Sequence, residues 1–362
     1  MTASGQSPLR HLPTLCIAGA VLVAAAHAFH LVEASAAAFV VLAAVFLIGS
    51  VFAAVQHAEV ISHRIGEPFG SIILAIAVTI IEVALIVSIM LSGSPEGGEI
   101  ARDAVFATFM IVLNGVVGLC LLVGGLLHRE QEFHNSGSTA ALAVLATLAT
   151  LTLILPNYTL AVPGPYYSTM QLGFVAAVSL VLYGLFIFVQ TVRHREYFTD
   201  IQQATPHARP TSRATLISAA VLVLALVMVI VLAEDLTPVV SSAVLSAGLN
   251  SELIGVLIAA VVLLPEGTTA YLAARANRIQ TSLNLALGSA LASIGLSIPT
   301  VAVISILMER PITLGLEQDH VVQVVLTLMV CTITLATGRT TILQGCVHLV
   351  IFFVFLLIAA AP

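Results

Sequence analysis

Apolar runs of about 20 residues recur along the whole chain and constrain its fold more than any other feature. Hydrophobic residues make up 59% of the 362 residues and charged residues only 8%, against roughly 25% charged residues in a soluble domain. Each run is long enough to cross a hydrocarbon layer of roughly 30 Å as a helix. The runs are continuous rather than alternating, so they do not fit a transmembrane β-barrel. We therefore predict an all-α polytopic membrane protein.

Eleven transmembrane helices are predicted from these runs. They lie near 13–32, 35–57, 70–91, 102–127, 138–156, 168–191, 213–233, 250–274, 281–307, 319–337 and 340–361. The stretch 238–250, between the seventh and eighth helices, fits a re-entrant segment or a surface segment.

The basic residues predict the orientation of the helices. All twelve are arginine, and with a cytoplasmic N-terminus only Arg102 and Arg310 lie outside. Cytoplasmic loops of membrane proteins carry an excess of basic residues. We therefore expect a cytoplasmic N-terminus and, with eleven helices, an external C-terminus.

The longest polar stretch divides the chain into two halves. Residues 193–212 contain two prolines and mixed charge, which is typical of a loop. We predict an N-terminal tail and an extra helix at 1–34, a first five-helix repeat at 35–192, this cytoplasmic linker, and a second five-helix repeat at 213–362. Because five is odd, the repeats would have opposite orientations, an arrangement found in secondary transporters.

Two glutamates lie near the middle of apolar segments, at matching places in the two halves. Glu82 is in the third predicted helix and Glu266 is in the eighth. A carboxylate at membrane depth is costly unless it is paired, protonated or bound to a cation. The pair therefore predicts a cation- and proton-binding site near the midplane. The alternative is that each glutamate is protonated and only bridges two helices.

Further oxygen-bearing side chains lie close to the glutamates in sequence. Thr79 precedes Glu82 by three residues and so shares its helix face. Asn114 is in the fourth predicted helix, and Ser289 and Ser293 are one turn apart in the ninth. Carboxylate, amide and hydroxyl oxygens are ligands for Ca²⁺ and also for Na⁺ and K⁺, whereas a thiolate or histidine-rich metal site is excluded. For the last three residues, helix packing is the alternative role.

Proline and glycine flank the second glutamate. Pro265 removes a helical hydrogen bond and clashes with the preceding turn, and Gly267 adds backbone freedom. We expect a helix break or kink here, with freed backbone carbonyls available to a cation.

Two stretches around these residues resemble a known family. The segments GEPFGSIILAIAVTIIEVALI and LLPEGTTAYLAARANRIQTSLNLALGSALASIGLSIP resemble the two α-repeats of the calcium/cation antiporter superfamily. The closest likeness is to its bacterial ChaA-type calcium/proton antiporters. The resemblance covers most of the chain, from about residue 57 to the last helix. It implies ten core helices in two inverted repeats, an extra N-terminal helix, and a location in the bacterial cytoplasmic (inner) membrane.

The resemblance also implies roles for individual residues. The acidic pair of the family would fall on Glu82 and Glu266, its GS motif on Gly288 and Ser289, and its first-repeat asparagine on Asn114. It implies exchange of a cation against protons by alternating access. The segments AVTIIE and LLPEG lack the asparagine that precedes each glutamate in many calcium/proton exchangers, so Ca²⁺, Na⁺ and K⁺ all stay open as substrates.

We interpret the chain as a secondary antiporter that exports Ca²⁺, or else Na⁺ or K⁺, in exchange for protons that bind the same two glutamates. The alternatives are a sodium-coupled calcium exchanger of the same fold and a cation channel. The sequence has no HExxH motif, no Ser/His arrangement and no nucleotide-binding loop, so no enzyme activity and no cofactor are expected. The expected partners are inorganic cations, protons and the lipid bilayer. No basic-aromatic patch indicates nucleic acid, and the sequence leaves the oligomeric state open.

Overall fold

The computed structural model describes residues 12–30, 36–65, 69–91, 97–198, 210–309 and 312–361. Within these ranges the chain is helical and contains no β-strand, only an isolated bridge between Glu132 and Arg339. The helices are α1 Leu12–Ala28, α2 Ala37–Ile65, α3 Phe69–Leu91, α4 Gly97–Met110, α5 Val117–His128, α6 Asn135–Ala149, α7 Thr169–Phe188, α8 Ser212–Ser246, α9 Glu252–Arg275, α10 Ile279–Ala292, α11 Ile298–Leu307, α12 Gln318–Ala336 and α13 Ile342–Ala360.

Two pairs of these helices join through π-helical turns. Helix α4 continues into α5 through Ile111–Val116, and α10 continues into α11 through Ser293–Ser297. The described residues therefore form eleven continuous helical stretches. Nine of those stretches are long and apolar enough to cross a membrane, and two shorter apolar segments lie at Thr14–Ala28 and Ile76–Val87. The prediction of an all-α polytopic membrane protein with about eleven helices is confirmed.

Helix α8 is longer than the sequence predicted. It begins at Ser212 as expected but continues to Ser246, with Pro238 inside it. Residues 238–246 therefore continue a helix and do not form a re-entrant segment. Proline removes one helical hydrogen bond, and in the turn before it the Thr237 hydroxyl adds one to the Ala233 carbonyl at 2.7 Å.

The chain divides into two compact units. The first comprises Met1–Leu85 and His207–Ala247, and the second comprises Ile86–Pro206 and Gly248–Pro362. The predicted division into repeats at 35–192 and 213–362, and the opposite orientation of those repeats, stay predictions. Residues 199–209 of the predicted linker lie outside the described residues.

In the first unit, α1, α2 and α8 pack against one another. Helices α1 and α2 approach closely at Gly49, where an added Cβ would lie 2.5 Å from the Cβ of Cys16. His57 of α2 joins all three helices, because its ring nitrogens lie 3.1 Å from the hydroxyls of Thr14 and Ser218.

In the second unit, α5 and α13 meet through glycines. An added Cβ at Gly345 would lie 2.4 Å from the backbone nitrogen of Leu122. One at Gly118 would lie 2.9 Å from the Cβ of His348. Small residues permit this close packing of membrane helices, and the contact fixes the depth of His348 against α5.

The same unit contains two further contacts that position the candidate site. Helix α9 approaches α4 at Gly255, where an added Cβ would lie 3.1 Å from the backbone nitrogen of Ala104. A short helical turn at Arg195–Phe198, the first part of the predicted linker, is held against α10, because the Asn284 amide donates a hydrogen bond to the Phe198 carbonyl.

Candidate cation-binding site

Glu82 and Thr79 lie one turn apart on α3, in the first unit. Their side chains are buried, with 7% and 5% of their surface exposed. The neighbouring side chains of Ala77, Val78 and Ile81 are apolar and also buried. A carboxylate at membrane depth is costly unless it is paired, protonated or bound to a cation, and the burial of Glu82 is compatible with the predicted role.

Glu266 lies on α9 in the second unit and contacts Ser289 of α10. The Ser289 hydroxyl donates a hydrogen bond to Oε2 of Glu266. Both residues are partly exposed. Two of the predicted site residues, from two different helices, are thus brought together.

Helix α9 is continuous through the proline that precedes Glu266. The helix runs from Glu252 to Arg275 with Pro265 inside it, so it is not interrupted at Pro265 and Gly267, and the alternative of a kink there stays a prediction. The hydroxyls of Thr268 and Thr269 donate hydrogen bonds to the Pro265 carbonyl at 2.8 and 2.9 Å. The Pro265 carbonyl thus accepts two side-chain hydrogen bonds from the helical turn that follows the proline.

Two of the four π-helical turns in the described residues lie at other predicted site residues, and the remaining two are Thr150–Ile154 and Val189–Arg193. The π-helical turn between α4 and α5 contains Asn114, and the turn between α10 and α11 begins at Ser293. Both side chains are buried, with 0% and 2% exposed. Such turns occur frequently at functional sites. The sequence placed polar residues here but gave no signal for the π-helical geometry.

Asn114 belongs to a buried hydrogen-bonded network that the sequence did not predict. Its Nδ2 donates to the Thr327 hydroxyl at 2.9 Å, and its Oδ1 lies 3.1 Å from Nδ1 of His348. The other ring nitrogen of His348 lies 3.2 Å from the Thr334 hydroxyl. A neutral His348 that donates from Nδ1 and accepts at Nε2 satisfies both contacts. The network therefore fixes the orientation of the Asn114 amide.

The sequence analysis missed the connection between His348 and the site. His348 lies in the last helix, outside the two glutamate-bearing segments, and its side chain is 0% exposed. The signal that could have found it is a titratable residue inside an otherwise apolar helix, which is a candidate for function by its depth alone.

Tyr183 of α7 is a second residue that the sequence analysis missed. Its phenol is close enough to Glu266 for the carboxylate charge to act on it. The hydroxyl is buried and has no hydrogen-bond partner among the described residues. The side chain packs at Gly295, where an added Cβ would lie 2.9 Å from the Cβ of Tyr183. Because a buried tyrosine hydroxyl usually finds a partner, we expect this one to contact a ligand held near Glu266.

The chemistry of these positions suits a hard cation. They provide carboxylate, amide, hydroxyl and phenol oxygens, the donor atoms that such cations prefer. In the part of the chain that the structure describes, no three His, Cys, Asp or Glu residues are grouped so as to hold a metal ion. At Glu266 one contact is with the neutral hydroxyl oxygen of Ser289.

Comparison with known proteins decides the family. The family model described as "Sodium/calcium exchanger protein" matches residues 35–192 and 217–361. The chain belongs to this family. A Sinorhizobium fredii relative, whose name places it among ionic transporters, is 53% identical to this exchanger over 343 residues, 94% of each chain. The sodium-potassium/proton antiporter ChaA of Escherichia coli K12 is 34% identical over 322 residues, 87% of each chain.

The solved structures confirm the fold of this exchanger. The crystal structure of the H⁺/Ca²⁺ exchanger CAX has a TM-score of 0.74 at 17% identity, and the match covers 97% of this chain and 89% of that chain. An identity this low shows the fold alone. With the family match, it confirms the resemblance to calcium/cation antiporters of the ChaA type. The chain is a multi-pass membrane protein and a cation antiporter of the exchanger family.

Proposed function

We propose that the chain exports Ca²⁺, or alternatively Na⁺ or K⁺, from the cytoplasm in exchange for protons. The observation that carries the proposal is the hydrogen bond from Ser289 to Glu266. This bond places the ionisable carboxyl of Glu266 beside the neutral hydroxyl of Ser289. The helices that carry them, α9 and α10, pack against the π-helical turn that contains Asn114. Glu82 and Thr79 would provide the corresponding oxygens on α3.

The proposed mechanism is competition between cation and proton for the same carboxylates. An ionised Glu266 accepts the Ser289 hydrogen bond and can bind a cation. Protonation removes that negative charge, and a nearby cation in turn favours the ionised form. A higher proton concentration on the external side would therefore release the cation there. Because neither ligand binds well while the other is bound, exchange would be coupled without a separate proton path.

The names of similar proteins support the proposed choice of cations and the proposed coupling to protons. The Escherichia coli relative is named for sodium, potassium and protons, and the structurally similar CAX protein is named as an exchanger of protons and Ca²⁺. The distribution of arginines supports a cytoplasmic N-terminus and an external C-terminus in the bacterial inner membrane. We expect no cofactor beyond the transported ions.

The proposal is tested with inverted bacterial membrane vesicles under an imposed pH gradient. Ca²⁺, Na⁺ and K⁺ are supplied in turn, and uptake of at least one should follow the pH gradient and stop when a protonophore collapses it. Calcium flux that follows a sodium gradient and ignores pH would instead show the sodium-coupled exchanger, the alternative that the family description favours. Currents that persist at zero proton gradient and far exceed the turnover of an antiporter would indicate a channel.

Tyr183→Phe is expected to weaken cation binding without stopping transport. Loss of one hydroxyl contact is worth about 1 kcal/mol, so the cation concentration for half-maximal uptake should rise about fivefold. Initial uptake rates over a range of cation concentrations measure this. Tyr158→Phe is the matched control, because Tyr158 is 69% exposed. Unchanged uptake in the Tyr183 variant would show that its hydroxyl does not contact the cation.

A further inference from the structure

Four ionisable side chains meet in the second unit, near the beginnings of α4, α9 and α12. They are Arg102 and Asp103 of α4, Glu252 of α9 and His320 of α12, and each is at most 7% exposed. None of them belongs to the candidate cation-binding site. Buried charges of this kind are rarely found unless they are paired.

Arg102 and Asp103 form one pair within this cluster. Nε and one terminal nitrogen of Arg102 both lie 2.7 Å from Oδ1 of Asp103. The other terminal nitrogen donates to the Gly315 carbonyl at 3.3 Å. Glu317, whose side chain is 70% exposed, lies 4.0 Å from Arg102. The arginine charge is therefore largely taken up by Asp103.

Glu252 and His320 form the second pair. Nε2 of His320 lies 3.0 Å from Oε1 of Glu252 and 3.6 Å from Oδ2 of Asp319. The other ring nitrogen, Nδ1, is buried and has no hydrogen-bond partner among the described residues. The ring packs on Phe106 of α4, with ring centroids 4.6 Å apart. Glu252 is thus the closest polar contact that the described residues give to His320.

The charges in the cluster require one additional proton. Arg102 balances Asp103, which leaves the buried Glu252 carboxylate without a fixed positive partner. A buried carboxylate is stable only when it is protonated or faces a cation. His320, whose Nε2 lies 3.0 Å from Oε1 of Glu252, can supply that positive charge when its ring binds a proton. Asp103 interacts electrostatically with Glu252 and with His320. Loss of the proton therefore also changes the electrostatic energy of Asp103.

We propose that Glu252 and His320 form a proton-binding site, separate from Glu82 and Glu266, that joins α9 to α12 and sets the pH range of transport. The charged groups that face the pair are Arg102 and Asp103 from α4, Asp319 from α12, and Glu317 at the rim. When the proton leaves, the attraction between α9 and α12 is lost and Glu252 repels Asp103.

The helices joined by the cluster carry residues of the candidate cation-binding site. Helix α9 carries Glu266, about 21 Å along the helix from Glu252 at 1.5 Å per residue. Helix α12 carries Thr327, which hydrogen-bonds Asn114, and α4 runs directly into the π-helical turn that contains Asn114. A change in the contacts at the beginnings of α4, α9 and α12 therefore shifts the cation-binding residues that these helices carry or contact.

Protons can reach the cluster from one side. Arg102 also lines a cavity of about 1090 Å³, together with Glu99, Glu317 and Tyr166. With the orientation predicted from the arginines, this cavity opens to the external side. The guanidinium group within the cluster disfavours a metal cation, and in the described ranges no His, Cys, Asp and Glu side chains form a metal-binding group. The chemistry of the cluster therefore points to a proton as the ligand.

The test measures how transport by single variants depends on external pH. Glu252→Gln keeps the shape of the side chain and removes its charge, and His320→Gln is a second, independent variant. In vesicles assayed between about pH 5.5 and pH 8.5, the range in which histidine titrates, each variant should shift the pH of half-maximal rate by at least about one unit. The maximal rate should stay within about threefold of wild type. Glu130→Gln, which removes a carboxylate that is 60% exposed and lies outside the cluster, should leave the profile unchanged.

A second readout does not depend on transport. Above the ordinary pKa of histidine, the folded chain keeps the additional proton and the unfolded chain loses it, so the thermal midpoint of the protein in detergent should fall as pH rises through the titration of the site. The double variant Glu252→Gln/His320→Gln should lose this dependence. Wild-type profiles in all variants, in both measurements, would overturn the proposal. If transport proves not to be proton-coupled, the thermal measurement still decides whether the cluster binds a proton.

Discussion

Glu266→Gln and Glu82→Gln are each expected to reduce pH-driven cation flux by at least about 100-fold, which corresponds to about 2.7 kcal/mol. Glutamine has nearly the same shape but can neither carry the negative charge that binds a cation nor take up a proton in exchange. In Glu266→Gln the Ser289 hydroxyl can still donate to the amide oxygen, so folding should be retained. Initial rates in inverted vesicles, normalised to the amount of inserted protein, measure the loss.

Matched controls separate this loss from a general effect of removing a carboxylate. Glu59→Gln makes the same change in the first unit, on α2, where the side chain is 57% exposed. Glu317→Gln makes it in the second unit, where the side chain is 70% exposed. Both should transport at close to the wild-type rate. Normal flux in either Glu82→Gln or Glu266→Gln would show that the exchange of cation for protons does not require that glutamate.

Gly345→Ala is expected to destabilise the protein by about 1–3 kcal/mol or more, as overpacking of a core does. The added Cβ would lie 2.4 Å from the Leu122 backbone nitrogen and 2.9 Å from the Gly118 carbonyl oxygen. Backbone atoms cannot rotate away, so α13 must move off α5. His348 lies three residues later on α13, and its 3.1 Å contact with Asn114 should lengthen as a result. The thermal midpoint in detergent should fall, and cation flux should fall with it.

The control for this prediction is Gly184→Ala on α7. No atom lies within 4 Å of a Cβ added at Gly184, and alanine favours helix more than glycine does. The thermal midpoint of this variant should be equal to or higher than that of wild type. Equal midpoints for Gly345→Ala and wild type would mean that α5 and α13 do not pack through their glycines.

The sequence predicted the parts of this structure that depend on local composition. Hydropathy alone gave the number of helices, because each apolar run must satisfy its backbone hydrogen bonds internally in lipid. Ser289 and Glu266 were both predicted to belong to the site, and the structure shows them in contact. Pro265 does not interrupt α9 as the break alternative predicted, and the Thr268 hydroxyl donates a hydrogen bond to its carbonyl.

The parts that the sequence did not predict depend on contacts between distant helices. His348 and Asn114 are far apart in the chain, and only the close packing of α5 on α13 brings them together. Tyr183 lies in a helix without a glutamate, so nothing local connected it with Glu266. Glu252 and His320 each lie near a predicted helix end, where a charged residue is ordinarily solvated. Their burial against each other became visible only in three dimensions.

In the proposed mechanism, a cation and protons replace each other on Glu82 and Glu266. The most direct test is to count the protons released when purified protein in weakly buffered detergent solution is titrated with Ca²⁺, Na⁺ or K⁺. We expect the transported cation to release protons from the wild-type protein and to release fewer from Glu82→Gln and Glu266→Gln. Cation binding without proton release, or with wild-type release in both glutamine variants, would contradict it.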